Sequence, residues 1–116
     1  MEWSGAGWLK ESPRKVLKDS RSVYPVKLLW AGMYYTYVLH SMVDNQFYTG
    51  STKDLKQRFE QHSKGLVDST KHRRPLKLVY YEACLNRGDA TKREKYFKTY
   101  HGKMYLAKRL KSYLTG

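Results

Sequence analysis

The run Tyr34-Tyr35-Thr36-Tyr37-Val38-Leu39, followed by Asp44-Asn45 and then Gln46-Phe47-Tyr48-Thr49, decides the fold. Both runs are crowded with aromatic and β-branched residues, which suit a pleated, half-buried surface. Asp44-Asn45 between them is a turn signal, so the segment reads as a hairpin. Gly50-Ser51-Thr52 leads out of it, and over Lys53 to Leu66 the apolar period changes. At about 100° per residue, Leu55, Phe59 and Leu66 share one stripe, with Lys56, Gln57, Glu60, Gln61 and Ser63 opposite. Arg58 and His62 fall inside the apolar stripe. A buried charge without a partner is costly, so something on that side of the helix must want them. Tyr37 and Tyr48 on the hairpin supply the nearest polar tips.

Downstream, Lys64 to Pro75 is a polar, basic loop holding Lys71, His72, Arg73 and Arg74. Leu76 to Cys84 alternates and is rich in Leu, Val and Tyr, a third strand. After a turn at Asn86 to Asp89, helices are expected at about Ala90 to Thr99 and Met104 to Leu114. On the first of these Ala90, Phe97 and His101 define the apolar side, and Glu94 lies between Ala90 and Phe97 on the same stripe. A carboxylate there is either buried in an ion pair or ligating something. The simplest arrangement brings Arg58, His62 and Glu94 together where the sheet meets both helices. Upstream, residues 1 to 32 form an N-terminal extension that holds all three tryptophans and a short helix signal, with Ser12 as cap and Pro13 in the first helical position. The domain proper is expected over residues 33 to 116, with Met33 as a candidate alternative start.

At 116 residues the chain is long enough for one modest core. Lys+Arg number 23 against 10 Asp+Glu, a net charge of +13, and the pI is about 9.9. That balance favours a polyanion such as nucleic acid, with an anionic membrane surface as the weaker option. A single cysteine, Cys84, excludes an internal disulfide, and the four histidines show no zinc spacing. A reducing cytoplasm fits, with nucleoid association if the source is bacterial. The uncharged stretch Leu28 to Leu39 is too short to cross a bilayer, and no secretory signal opens the chain. No obligate protein partner is signalled.

These residues resemble the GIY-YIG nucleases, most closely the small stand-alone bacterial members. Tyr35-Thr36-Tyr37 stands for the first motif and Tyr48-Thr49-Gly50 for the second, with ten residues between Tyr37 and Tyr48. Nine more separate Tyr48 from Arg58, three separate Arg58 from His62, and Glu94 follows on the next helix. The resemblance covers roughly Met33 to Lys98 and includes Arg73-Arg74-Pro75-Leu76-Lys77-Leu78-Val79-Tyr80. It implies a small α/β (α+β) fold, a three-stranded antiparallel sheet flanked by helices, and divalent-metal-dependent hydrolysis of DNA. In that chemistry Tyr37 is the general base and His62 the neighbour that draws off its proton. Arg58 binds phosphate oxygens, Tyr48 holds the water or the phosphate, and Glu94 is the one protein ligand to Mg2+ or Mn2+. Ser51, Lys53, Lys71, Arg73 and Arg74 are candidate nucleic-acid contacts. The chain departs from some members in having Ser51 where they carry a lysine after the second motif, and in lacking an asparagine beyond Glu94. The alternative reading is a catalytically silent, basic nucleic-acid-binding domain that grips phosphate and stacks bases on its tyrosines.

Overall fold

The computed structural model describes residues 32 to 116, and the helix signal at Ser12 and Pro13 lies outside the described residues. Strand β1, Tyr34–Ser41, is the central strand of a three-stranded antiparallel sheet in the order β2-β1-β3, with β2 spanning Phe47–Thr52 and β3 Leu76–Cys84. The hairpin forms where the sequence puts it, but β2 starts one residue later and runs through Gly50 to Thr52. Asn45 takes a positive φ of 59° in the turn, which Asn tolerates better than other side chains. The third strand has the expected ends. It also carries an extra residue: Val38 lies opposite Tyr80 and Leu39 opposite Leu78, so Val79 bulges out of register.

Alternation along β1 sends its side chains to two different layers. Tyr37 faces the helix α1, Leu55–Ser63, where it meets His62. Thr36 faces the opposite layer, donating from its hydroxyl to the Ala90 carbonyl of α2, Arg87–Phe97. That second layer continues through α3, Tyr100–Arg109, and the short α4, Lys111–Thr115. Its core is Val38, Phe97 and Leu106, with Phe47, Tyr80 and Tyr96 packed around them. Arg93 ties α2 to β3: its Nε donates to Glu82 Oε2 at 2.5 Å, and its guanidinium lies 4.7 Å from the Phe97 ring centroid.

Three expected boundaries move, each for a local reason. Helix α1 starts at Leu55 because the Asp54 carboxylate accepts from Gln57 N–H as an N-cap. It ends at Ser63, because Gly65 adopts φ +78° while its N–H bonds the His62 carbonyl and that of Leu66 the Gln61 carbonyl, a left-handed stop that glycine allows. Leu66 therefore leaves the apolar stripe and is 68% exposed. The helical segment after Asn86 breaks at Thr99, whose hydroxyl accepts from Gly102 N–H, so it starts and ends earlier than expected. His101 consequently belongs to α3 and is exposed, not aligned with Ala90 and Phe97.

Candidate active site

β1 and β2 set the geometry. Tyr37 pairs with Gly50 across the ladder, and its ring crosses over that glycine so closely that a Cβ at position 50 would lie 2.5 Å from the Tyr37 hydroxyl. The glycine is therefore a gap through which the phenol reaches toward β2. Tyr37 is 1% exposed, and its hydroxyl is 2.8 Å from His62 Nε2. His62 is fully buried, and its Nδ1 is 2.7 Å from the hydroxyl of Thr70, equally buried. The Tyr48 ring stands edge-on to His62 at 5.2 Å between centroids.

Electrostatics follow from this burial. Loss of water pushes the Tyr37 phenol above its usual value, while the neighbouring Arg58 guanidinium pulls the other way and Tyr48 and Glu94 add to the rise. Burial, helped by the Arg58 charge, holds the His62 imidazole down to about 4. His62 is thus neutral near pH 7 and a weak base. The expectation that it takes the Tyr37 proton runs against both shifts.

Glu94 lies in the other layer, as does Ser51, the residue after Gly50 on β2. Ser51 Oγ donates to Glu94 Oε1 at 2.8 Å, and Lys98 Nζ donates to Oε2 at 3.1 Å. Arg58 makes no ion pair with Glu94; its Nη1 donates to Gln61 Oε1 at 2.9 Å. The expected convergence is therefore two clusters: Tyr37, Tyr48, Arg58 and His62 on one face, Ser51, Glu94 and Lys98 on the other. Glu94 is still near enough for its charge to act on Tyr37. β2 is an edge strand, so the clusters communicate around its rim. A cavity of about 450 Å³ opens beside that strand, lined in part by Tyr48, Thr49, Phe97, Lys98 and Lys103.

The family model of the GIY-YIG catalytic domain matches residues 33–108. The chain belongs to the GIY-YIG family. It is 43% identical over 68 residues to a UPF0213 protein of Limosilactobacillus reuteri, covering 56% of this chain and 70% of that one. It is 45% identical over 58 residues to a UPF0213 protein of Staphylococcus aureus, covering 49% and 71%. A solution NMR structure of a UPF0213 protein from Bacillus halodurans aligns at a TM-score of 0.43 and 29% identity, over 66% of this chain and 83% of that one.

GIY-YIG domains are generally divalent-metal-dependent endonucleases. Among the described residues of this one, no three His, Cys, Asp or Glu cluster as a metal site. The fit rests instead on the donor set around Glu94: a carboxylate with 24% of its side chain exposed and a hydroxyl alongside, hard oxygens that suit Mg2+ with most of its waters retained. Lys98 occupies one carboxylate oxygen and must yield it.

The candidate nucleic-acid contacts divide by what already holds them. Lys53 and Lys71 are exposed, Lys71 with a loose pair to Asp68 at 3.6 Å. Arg73 donates to both Asp44 oxygens and holds that carboxyl down to about 2, which fastens the loop to the hairpin turn. Arg74 donates to the carbonyls of Lys71 and Ser63, closing the end of α1. Ser51 is engaged by Glu94. Two residues of this environment escaped sequence reasoning. Lys98 was legible as the i+4 partner of Glu94, whereas Thr70 is a lone threonine in a polar loop and gives no signal.

Proposed function

We propose that residues 33–116 form a divalent-metal-dependent endonuclease domain that hydrolyses phosphodiester bonds in DNA. The observation that carries this reading is the Tyr37 hydroxyl, buried, hydrogen-bonded to His62 and reaching over Gly50 toward the strand whose next residue holds Glu94. In the reaction Tyr37, as tyrosinate, accepts the proton of the attacking water. A new P–O bond forms as the bond to the leaving oxygen breaks, and that oxygen takes a proton from solvent. Arg58 binds the non-bridging oxygens and compensates their growing charge, while Tyr48 orients the phosphate or the water. A divalent ion on Glu94 would supply further charge compensation. The basic surface, with Lys53 and Lys71 foremost, holds the DNA backbone. A cytoplasmic site of action is consistent with this chemistry.

The test is single-turnover cleavage of single-stranded, duplex, flap and junction DNA with Mg2+ or Mn2+. Tyr37→Phe keeps the ring that packs over Gly50 and removes only the hydroxyl, and is expected to lose roughly two to four decades of rate with DNA binding retained. Glu94→Ala is expected to abolish cleavage. A wild-type protein that binds every one of these DNAs and cuts none refutes the proposal in favour of the silent binding domain.

A further inference from the structure

His62 is sealed between two hydroxyls, Tyr37 at its Nε2 and Thr70 at its Nδ1, and all three residues are buried to 1% exposure or less. The Thr70 hydroxyl makes no other hydrogen bond among the described residues, and it does not cap the 3-10 turn Lys71–Arg73 that it precedes. The groups facing the imidazole are Tyr37 from β1, Tyr48 from β2, Arg58 from its own helix and Thr70 from the loop.

A neutral imidazole brings one proton to this row, and each hydroxyl brings one more. Two hydrogen bonds must accommodate three protons, so one proton is left over at one end. If Tyr37 donates to Nε2, then Nδ1–H donates to Thr70, and the Thr70 proton is stranded under α1 without an acceptor. A buried donor left unmade carries its full desolvation penalty. If Thr70 donates to Nδ1, then Nε2–H donates to Tyr37, and the proton left over belongs to the Tyr37 phenol over Gly50, at the end of the row nearest the β2 rim. The second arrangement strands nothing at the closed end. It also leaves the Tyr37 oxygen as an acceptor beside Arg58.

We propose that Thr70 is a positioning residue that sets the His62 tautomer: its hydroxyl donates to Nδ1, the ring proton sits on Nε2, and His62 donates to the Tyr37 oxygen. The consequence for catalysis rests on the nuclease reading above. His62 steadies a tyrosinate by hydrogen bonding and does not remove its proton. The tautomer itself is a property of the resting protein.

The direct test is the tautomer of His62 in the 15N-labelled full chain at neutral pH, read from the long-range proton–nitrogen couplings of the imidazole. A protonated Nε2 and unprotonated Nδ1 are expected; the opposite assignment overturns the proposal. Thr70→Val, isosteric but without the hydroxyl, is expected to give a mixture of tautomers. It should also move the alkaline rise of the single-turnover pH profile upward with KM unchanged, each unit being about tenfold in rate below the plateau. Thr70→Ser should restore both. A variant with unaltered tautomer and profile overturns the role of Thr70, and the wild-type spectrum decides the tautomer even if Thr70→Val fails to fold. A wild type that carries the Nε2 proton yet cuts no DNA supports the assignment of the tautomer and refutes the nuclease reading alone.

Discussion

Acidification to pH 4.5 should destabilise this domain through one residue, His62. Its imidazole is fully buried and held at about 4, against 6.5 for a solvated histidine. The folded state therefore resists a proton that the unfolded chain accepts freely. With the folded pKa depressed, the stabilisation is fully present above about pH 6.5 and is lost as pH falls toward 4. Each unit of difference is worth about 1.4 kcal/mol, which sets a ceiling of about 3 kcal/mol over the whole window. That is a large part of the 5 to 15 kcal/mol typical of a small domain. Asp44, held at about 2 by Arg73, acts in a separate window: its contribution is present above 3.8 and disappears below it. Urea unfolding followed by far-ultraviolet circular dichroism at pH 7, 6, 5 and 4.5 measures the loss. His62→Gln, which cannot titrate, should be less stable at pH 7 and lose the slope between pH 6.5 and 4.5. Parallel pH dependences for wild type and His62→Gln would refute the reasoning, because some other group would then carry the acid sensitivity.

Two further outcomes follow from the geometry. Gly50→Ala puts a methyl 2.5 Å from the Tyr37 hydroxyl and 2.7 Å from its ring carbon Cζ; the phenol must move, and single-turnover cleavage should fall about a hundredfold, the usual result of misplacing a reacting group by about 1 Å, so undiminished cleavage would dissociate the position of Tyr37 from activity. Lys98→Gln removes the ammonium that competes for Glu94 Oε2; since an exposed ion pair is worth about 0.2 to 1 kcal/mol, Mn2+ affinity without DNA should rise no more than about fivefold, and calorimetry showing no change would mean that the ion does not displace Lys98.

The sheet was largely legible in the sequence because strand alternation is dense in aromatic and β-branched residues, and the ends of β3 fell where Leu76 and Cys84 placed them. The ends of α1 were not, because the stop is set by the left-handed backbone at Gly65, not by the apolar period that carries on to Leu66. α2 and α3 blurred for a related reason: Lys95, Lys98 and Lys103 are good helix formers throughout, and only the Thr99 hydroxyl marks the break. Within the site, Tyr37 and His62 were legible as neighbours because β-alternation and the helical period both aim them into the same layer. Glu94 was legible as unusual, but its partner was not. The pairing with Ser51 depends on which face of β2 that serine takes, fixed by the ladder register of Thr36 with Ser51. Arg73 and Arg74 look like DNA contacts in a string of basic residues. Only the fold shows that they fasten the loop to Asp44 and to the end of α1.

The position of β2 at the margin of the sheet has a consequence for inhibition. Described residues place no strand beyond it, so alternate backbone N–H and C=O groups along Phe47–Thr52 face outward. An extended peptide could pair with that margin as a fourth strand, by main-chain hydrogen bonding and without mimicking a phosphate. It would wall off Tyr48 and Gly50 on one side and Ser51 on the other in a single step. A protein antagonist of this domain therefore needs no negative charge, only a strand of matching length.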